Sequence, residues 1–244
     1  MKDTSTLTGN GIRTGAQYIS GLQDDREIWT MGKRIKDVTV EPGMSRGVSS
    51  LAGFLDKQHD KKYQDKVTYV DEDGIRCPLS FKTPKSKQDI LDRGKAYYEW
   101  ATWSHGMFGR TPDYKNASLM SFSAARSFLD KGTVGSADFS TNMLNFYNYA
   151  RTNDQILTHT LINPSVSHKQ AAAGIYNDTV ALHVVKETDA GIVVSGARLL
   201  ATLGPFADEI EVFPSTVLIG PLGSFSMHCK IIFVLSLISS ILQI

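Results

Sequence analysis

Two stretches of this sequence carry side chains whose types and spacing suit chemistry. The first is Gly109-Arg110-Thr111-Pro112-Asp113-Tyr114. A glycine lets the backbone approach a ligand closely, and Pro112 fixes the turn. Arg110 and Tyr114, four residues apart, can then project into one cleft. A guanidinium beside a phenol hydroxyl is a clamp for an anion, or for an oxyanion that develops during a reaction. The same spacing also suits a simple helix connection whose arginine caps a helix end. The second stretch is Thr158-His159-Thr160-Leu161-Ile162-Asn163-Pro164. An imidazole titrates near neutrality and can serve as a general base or a donor. A lone histidine in such a place also serves packing, and spacing does not separate the two.

Other chemistries find no pattern. The glycine-rich pieces lack GxxxxGK[ST] and GxGxxG, and HExxH is missing. His59, His105, His159, His168, His183 and His228 show no metal-ligand spacing, so no metal is expected. Serine and histidine do not form a readable nucleophile elbow. Cys77 and Cys229 make no disulfide framework and read as free thiols of a reducing compartment. Basic and acidic side chains number 26 and 25, a balance that supplies no field for nucleic acid. Met1 to Arg13 is polar, with no apolar segment of the kind that directs secretion. A cytoplasmic location is the expectation.

These residues need elements to position them. Ala16, Tyr18, Ile19 and Leu22 suit a short helix, and residues 1–14 before it look loose. Glu27 to Val40 predicts two short extended pieces around Gly32, and Val48, Leu51, Ala52 and Leu55 an amphipathic helix. The mixed charges from Lys57 to Lys66 suit a solvated helix end. Val67 to Phe81 predicts a hairpin turning at Asp71–Gly74, and Lys85 to Trp103 a helix. After a break at 107–113, helices are expected near 115–129 and 139–152. Beyond Gln155 the pattern becomes strand-like: 180–185, a turn at 187–191, then 192–202 and 210–219. That order is α+β, with a boundary near Gln155. From Pro221 the turn-and-strand pattern stops. Residues 231–244 are almost wholly apolar, but too few for a straightforward bilayer span. They read as a strand or helix that packs on something absent, or as an out-of-frame tail, ahead of a short membrane anchor with Lys230 at its start.

Several ordered runs together resemble one family. They are Thr14 to Ile28, Gly32 to Thr39, Met107 to Tyr114, His159 to Pro164, Glu187 to Arg198, and Ala207-Asp208-Glu209 to Phe213-Pro214-Ser215. The chain resembles the 4-hydroxyphenylacetate 3-hydroxylases, the oxygenase components of two-component flavin monooxygenases, from about residue 14 to about 218. The resemblance implies an acyl-CoA-dehydrogenase-like fold. Residues 1–154 would be the mainly helical amino-terminal domain and 155–220 a partial middle β-barrel. Residues 221–244 would be an apolar tail unlike the family, with the carboxy-terminal helical bundle missing.

It further implies reduced FAD delivered by a separate flavin reductase, O₂ as co-substrate, and a flavin C4a-hydroperoxide. That species would hydroxylate a phenol such as 4-hydroxyphenylacetate ortho to its hydroxyl, in aromatic catabolism. Arg110, Tyr114 and His159 would be catalytic and would contact the phenol. His159, Thr160, Leu161 and Thr202 would contact the flavin, and Ser215 and Thr216 the substrate. Full-length relatives would form homo-oligomers, and no nucleic-acid or membrane partner is implied. The runner-up is a truncated, inactive piece of such an enzyme. A third reading is an iron–sulfur dehydratase of the same fold. It would need clustered thiolates, and Cys77 stands alone in the matched region.

Overall fold

Thr14 starts the first regular element in the computed structural model, which describes residues 9–107, 111–129, 138–162, 164, 180, 182–188, 191–213, 233–236 and 241–243. Its hydroxyl accepts from the Gln17 backbone N–H, and the Gln17 side chain accepts from Thr14 N–H. This reciprocal capping box opens α1 (Gly15–Gly21). Tyr18 and Leu22 point inward, as their spacing predicts. Residues 9–13, expected to be loose, are instead tied down. Gly11 N–H donates to Thr152 O and Ile12 N–H to Arg76 O, both at 2.9 Å. Polar composition hid these backbone bonds, which depend on no side chain.

The next elements follow the sequence reading except for a one-turn helix over Gln64–Val67, where only a solvated helix end and the start of the hairpin were expected. They are β1 (Glu27–Thr30), β2 (Lys33–Ile35), α2 (Ser45–Lys57), the short α3 (Gln64–Val67), β3 (Thr68–Val70) and β4 (Arg76–Pro78). Gly74 closes the β3–β4 turn with φ +79°, where only glycine sits without strain. Lys57 is not simply solvated: its ammonium lies 3.7 Å from the Trp103 ring centroid and 4.6 Å from that of Tyr63. This cation–π contact docks the end of α2 on α4 (Lys87–Trp103). Helices α5 (Pro112–Ala124) and α6 (Phe139–Thr152) complete the helical part.

Then come β5 (Leu157–Thr160), β6 (His183–Thr188), β7 (Gly191–Ser195), β8 (Glu209–Val212), β9 (Phe233–Ser236) and β10 (Ile241–Gln243). Strand β6 begins at His183 rather than Val180, and β7 ends at Ser195 rather than running to Thr202. A bridge between Ile162 and Leu199 carries the chain onward. The described strands form two three-stranded sheets, β10-β1-β2 and β5-β8-β9, and two hairpins, β3-β4 and β6-β7. They do not close a barrel among themselves. The apolar tail differs from its expectation. Strand β9 pairs antiparallel with β8, and β10 pairs parallel with β1. Sheet edges within the chain thus take up the backbone groups of these two pieces. No helix among the described residues is long and apolar enough to cross a membrane.

The β5–β8 pair lies between two helical layers. Ile156 and Ile210 join Tyr18, Leu22, Val48, Leu51 and Leu55 on one side. Leu157 joins Phe81, Leu119, Met143 and Ala150 on the other. A buried arginine, Arg26, and a half-buried one, Arg13, lock the first layer to the loop before β8. Arg26 donates through Nη1 to Pro205 O and Ala207 O, each at 3.0 Å. Arg13 makes a two-pronged contact with Asp208, at 2.5 and 3.2 Å. Asp208 also accepts from Ile156 N–H at 2.7 Å, so one carboxylate joins the amino-terminal segment to both central strands.

Candidate functional site

Helix α5 and strands β5 and β8 build the site. Thr111 is the N-cap of α5 and Pro112 its first residue, where a missing N–H costs nothing. Tyr114 and Lys115 follow in the first turn. Asn116 anchors that turn by donating through Nδ2 to Ser80 Oγ at 3.0 Å. All four residues of β5 are buried, as are all four of β8. The strands are parallel with His159 opposite Glu211, and register partners in a parallel pair share a face. Leu157, His159, Glu209 and Glu211 therefore face the α5–α6 layer, and Ile210 faces the α1–α2 layer.

The Tyr114 and His159 rings lie 5.6 Å apart between centroids, inclined at 54°. The Phe213 ring meets His159 edge-on at 6.1 Å. Lys115 and Glu211 form an ion pair with side chains only 4 % and 1 % exposed. The Lys115 ammonium also lies 4.3 Å from the Phe213 ring centroid and 5.7 Å from that of Tyr114. Burial pushes the Glu211 carboxyl above its ordinary range, and Lys115 pulls it part of the way back. Two residues back along the same strand, burial and then the Asp208 carboxylate push the Glu209 carboxyl up to about 7, opposed by Arg26.

A narrow crevice lined by Thr111, Tyr114, Thr158, His159 and Thr202 opens beside this group. Next to it, between α4 and α5, is a cleft of about 410 Å³. Thr111 and Tyr114 line both spaces, and Tyr97, Ser104 and Asp113 line the larger. That volume falls in the range of small-molecule pockets. Burial pushes the Asp113 carboxyl upward, and its Oδ1 has no hydrogen-bond partner.

The structure thus brings Tyr114, His159 and Thr202 together. Thr160 is buried, its hydroxyl donating to Leu199 O and its carbonyl accepting from Phe213 N–H at 3.0 Å. Leu161 follows just beyond β5 and is half-buried. Arg110, Ser215 and Thr216 lie outside the described residues. Sequence reasoning missed Lys115 and Glu211, and quoted Thr158 and Phe213 within motifs without giving either a role in the site. Two glutamates alternating with Ile210 and Val212 suggest a half-solvated strand, so nothing announced that Glu211 is buried. Adjacency of Lys115 to Tyr114 was the one available signal.

Comparison with known proteins decides the family. A family model described as the amino-terminal region of 4-hydroxyphenylacetate 3-hydroxylase matches residues 14–231. The chain belongs to that family. The match runs past residue 218, where the resemblance was expected to end, into the segment expected to be unlike the family. The chain is 40% identical to the 4-hydroxyphenylacetate 3-monooxygenase oxygenase component of Thermus thermophilus over 207 residues, 84% of this chain and 41% of that protein. It is 33% identical to the oxygenase component of a Rhodococcus 4-nitrophenol 2-monooxygenase, over 79% of this chain and 36% of that one. The chain therefore spans less than half the length of these curated relatives. Among solved structures it is similar to an oxygenase component of 4-hydroxyphenylacetate 3-monooxygenase complexed with FAD and 4-hydroxyphenylacetate. The TM-score is 0.81 at 38% identity, covering 93% of this chain and 45% of that one. An archaeal 4-hydroxybutyryl-CoA dehydratase shares the fold, with a TM-score of 0.68 at 15% identity.

Proposed function

We propose that this chain contributes the phenol-binding face of an FAD-dependent aromatic hydroxylase of the 4-hydroxyphenylacetate type. The observation that carries the reading is the apposition of Tyr114 and His159 at 5.6 Å, with Tyr114 also lining a neighbouring cleft large enough for a phenol. The donor set also fits a flavin edge: an imidazole, a phenol and the Thr202 hydroxyl line one crevice, with Thr160 and Leu161 continuing the strand. Bound reduced FAD would supply the two electrons that activate O₂, and O₂ would supply the oxygen atom added to the ring.

The chain's own residues would orient and polarise the phenol. An imidazole nitrogen of His159 accepts the phenol proton, or shares it, as the ring becomes electron-rich. The Tyr114 hydroxyl donates to the same oxygen and stabilises charge building there. Arg110, two residues before the described start of α5, would add the cation. Ser215 and Thr216 would meet the far end of the substrate. Burial of β5 and β8 excludes water from one side. A flavin reductase partner, homo-oligomerisation, a cytoplasmic location and the division at about residue 155 into helical and partial-barrel domains belong to the same proposal.

A second reading is favoured by the share of the relatives that the chain spans, 41% of the Thermus protein. Met107 and Phe128 are 86% and 75% exposed, which suits surfaces covered by something further. On that reading the chain folds but does not hold flavin alone. The iron–sulfur reading draws no support here. Burial pushes the Cys77 thiol up to about 12, and among the described residues no three ligand-type side chains cluster.

Anaerobic titration with reduced FAD, followed by addition of O₂ and 4-hydroxyphenylacetate, tests both readings. Catechol formation that disappears in Tyr114→Phe or His159→Asn supports the first. Flavin binding with no catechol, or no binding at all, selects the second for the chain alone. Catechol yield unchanged in both variants would sink the assigned roles.

A further inference from the structure

We infer that the Lys115–Glu211 ion pair is the positioning device that holds Tyr114 against His159. This rests on the reading of those two rings as the phenol-binding pair. Glu211 stands opposite His159 in the parallel register, and Lys115 is the neighbour of Tyr114 in the first turn of α5. The ion pair therefore joins the same two elements that carry the two rings, one residue along the helix and one strand across. Its members are 4% and 1% exposed, so water competes little for either charge.

Why a charge pair rather than apolar packing? Apolar contact is non-directional and tolerates sliding of a helix over a sheet. An ammonium–carboxylate contact in a dry interior is short and oriented. Phe213 closes the arrangement from the third side, touching the His159 ring by its edge and lying 4.3 Å from the Lys115 ammonium. Among the described residues, the charged and titratable groups on this side of His159 are Tyr114 and Lys115 from α5 and Glu211 from β8, with Glu209 further along the same face of β8. Glu211 offsets the lysine charge, so the pair fixes geometry without placing an unbalanced cation beside the imidazole. Lys115 also lines the narrow crevice beside Tyr114 and His159; with its charge met by Glu211, the two act as positioning residues.

The test needs neither flavin nor phenol. Isotope-labelled Tyr and His rings in the 244-residue chain give a proton cross-relaxation peak between Tyr114 and His159 when the rings are held at this spacing. The peak is expected in the unaltered chain and in Lys115→Arg. It is expected to vanish in the double variant K115M/E211L while the dispersed amide spectrum of a folded chain persists. Should that double variant unfold, Glu211→Gln is read instead and should weaken the peak at unchanged global dispersion. A peak absent from the unaltered chain overturns the inference. So does a peak retained in K115M/E211L, or one equally strong in Glu211→Gln. A failed FAD titration with the expected peak pattern would count against the hydroxylase reading and leave the pair's role intact.

Discussion

At the scale of single residues, the buried Lys115–Glu211 pair makes an asymmetric prediction. Removing one partner leaves the other charge in the interior, which typically costs ~3–5 kcal/mol. Replacing both by apolar groups of similar volume is often near neutral. In urea unfolding at pH 8, Lys115→Met should therefore lose several kcal/mol and K115M/E211L very little. Equal losses would show that the two side chains act separately. Lowering the pH should relieve the single variant, because a protonated Glu211 needs no counter-ion. Tyr114 and His159 were legible in the sequence because each sits in a loop-like run with proline and glycine or asparagine, away from helical periodicity. Thr202 was legible only through family resemblance. Lys115 and Glu211 were not, since long-range pairing of α5 with β8 leaves no local pattern.

At the scale of elements, the helical reading held for α1, α4 and α6 because each carries its own start signal. Thr14, Ser86 and Asp138 accept backbone N–H bonds at the starts of α1, α4 and α6. The strands were less legible, because β8 is buried on both faces and β9 and β10 find partners far away in sequence. Gly15 gives an element-scale prediction. Alanine in a helix is ordinarily better than glycine by about 1 kcal/mol. Here a Cβ would lie 2.6 Å from Ala52 O and 2.7 Å from Asp56 Oδ2. Gly15 N–H also donates to Asp56 Oδ1 at 2.7 Å. Gly15→Ala should thus lower stability by ~1–3 kcal/mol by prising α1 from α2. A raised melting temperature would show that the two helices can separate without cost.

At the scale of the whole molecule, polar groups are built into the centre rather than confined to the surface. Glu209 lies buried with Oε2 unpartnered and its carboxyl pushed up to about 7. Between the ordinary glutamate range and about 7, the folded chain holds a proton that the unfolded chain gives up. Stability should fall as pH rises through that window, by roughly 3–4 kcal/mol in all. Glu209→Gln should flatten this slope when unfolding is followed from pH 4 to pH 8, and an unchanged slope would assign the dependence to another group. The register of β5 with β8 has a consequence in time as well. The two strands are parallel, and Ile156 and Asp208, which bond at the head of the pair, are 52 residues apart. Helices α1 to α6 rest on local contacts and can form early. Closing the long β5–β8 connection comes at an entropic cost before any contact repays it. Glu211 cannot shed its water until the lysine on α5 is in place to receive it, so the step that assembles the Tyr114–His159 face should be among the last in folding.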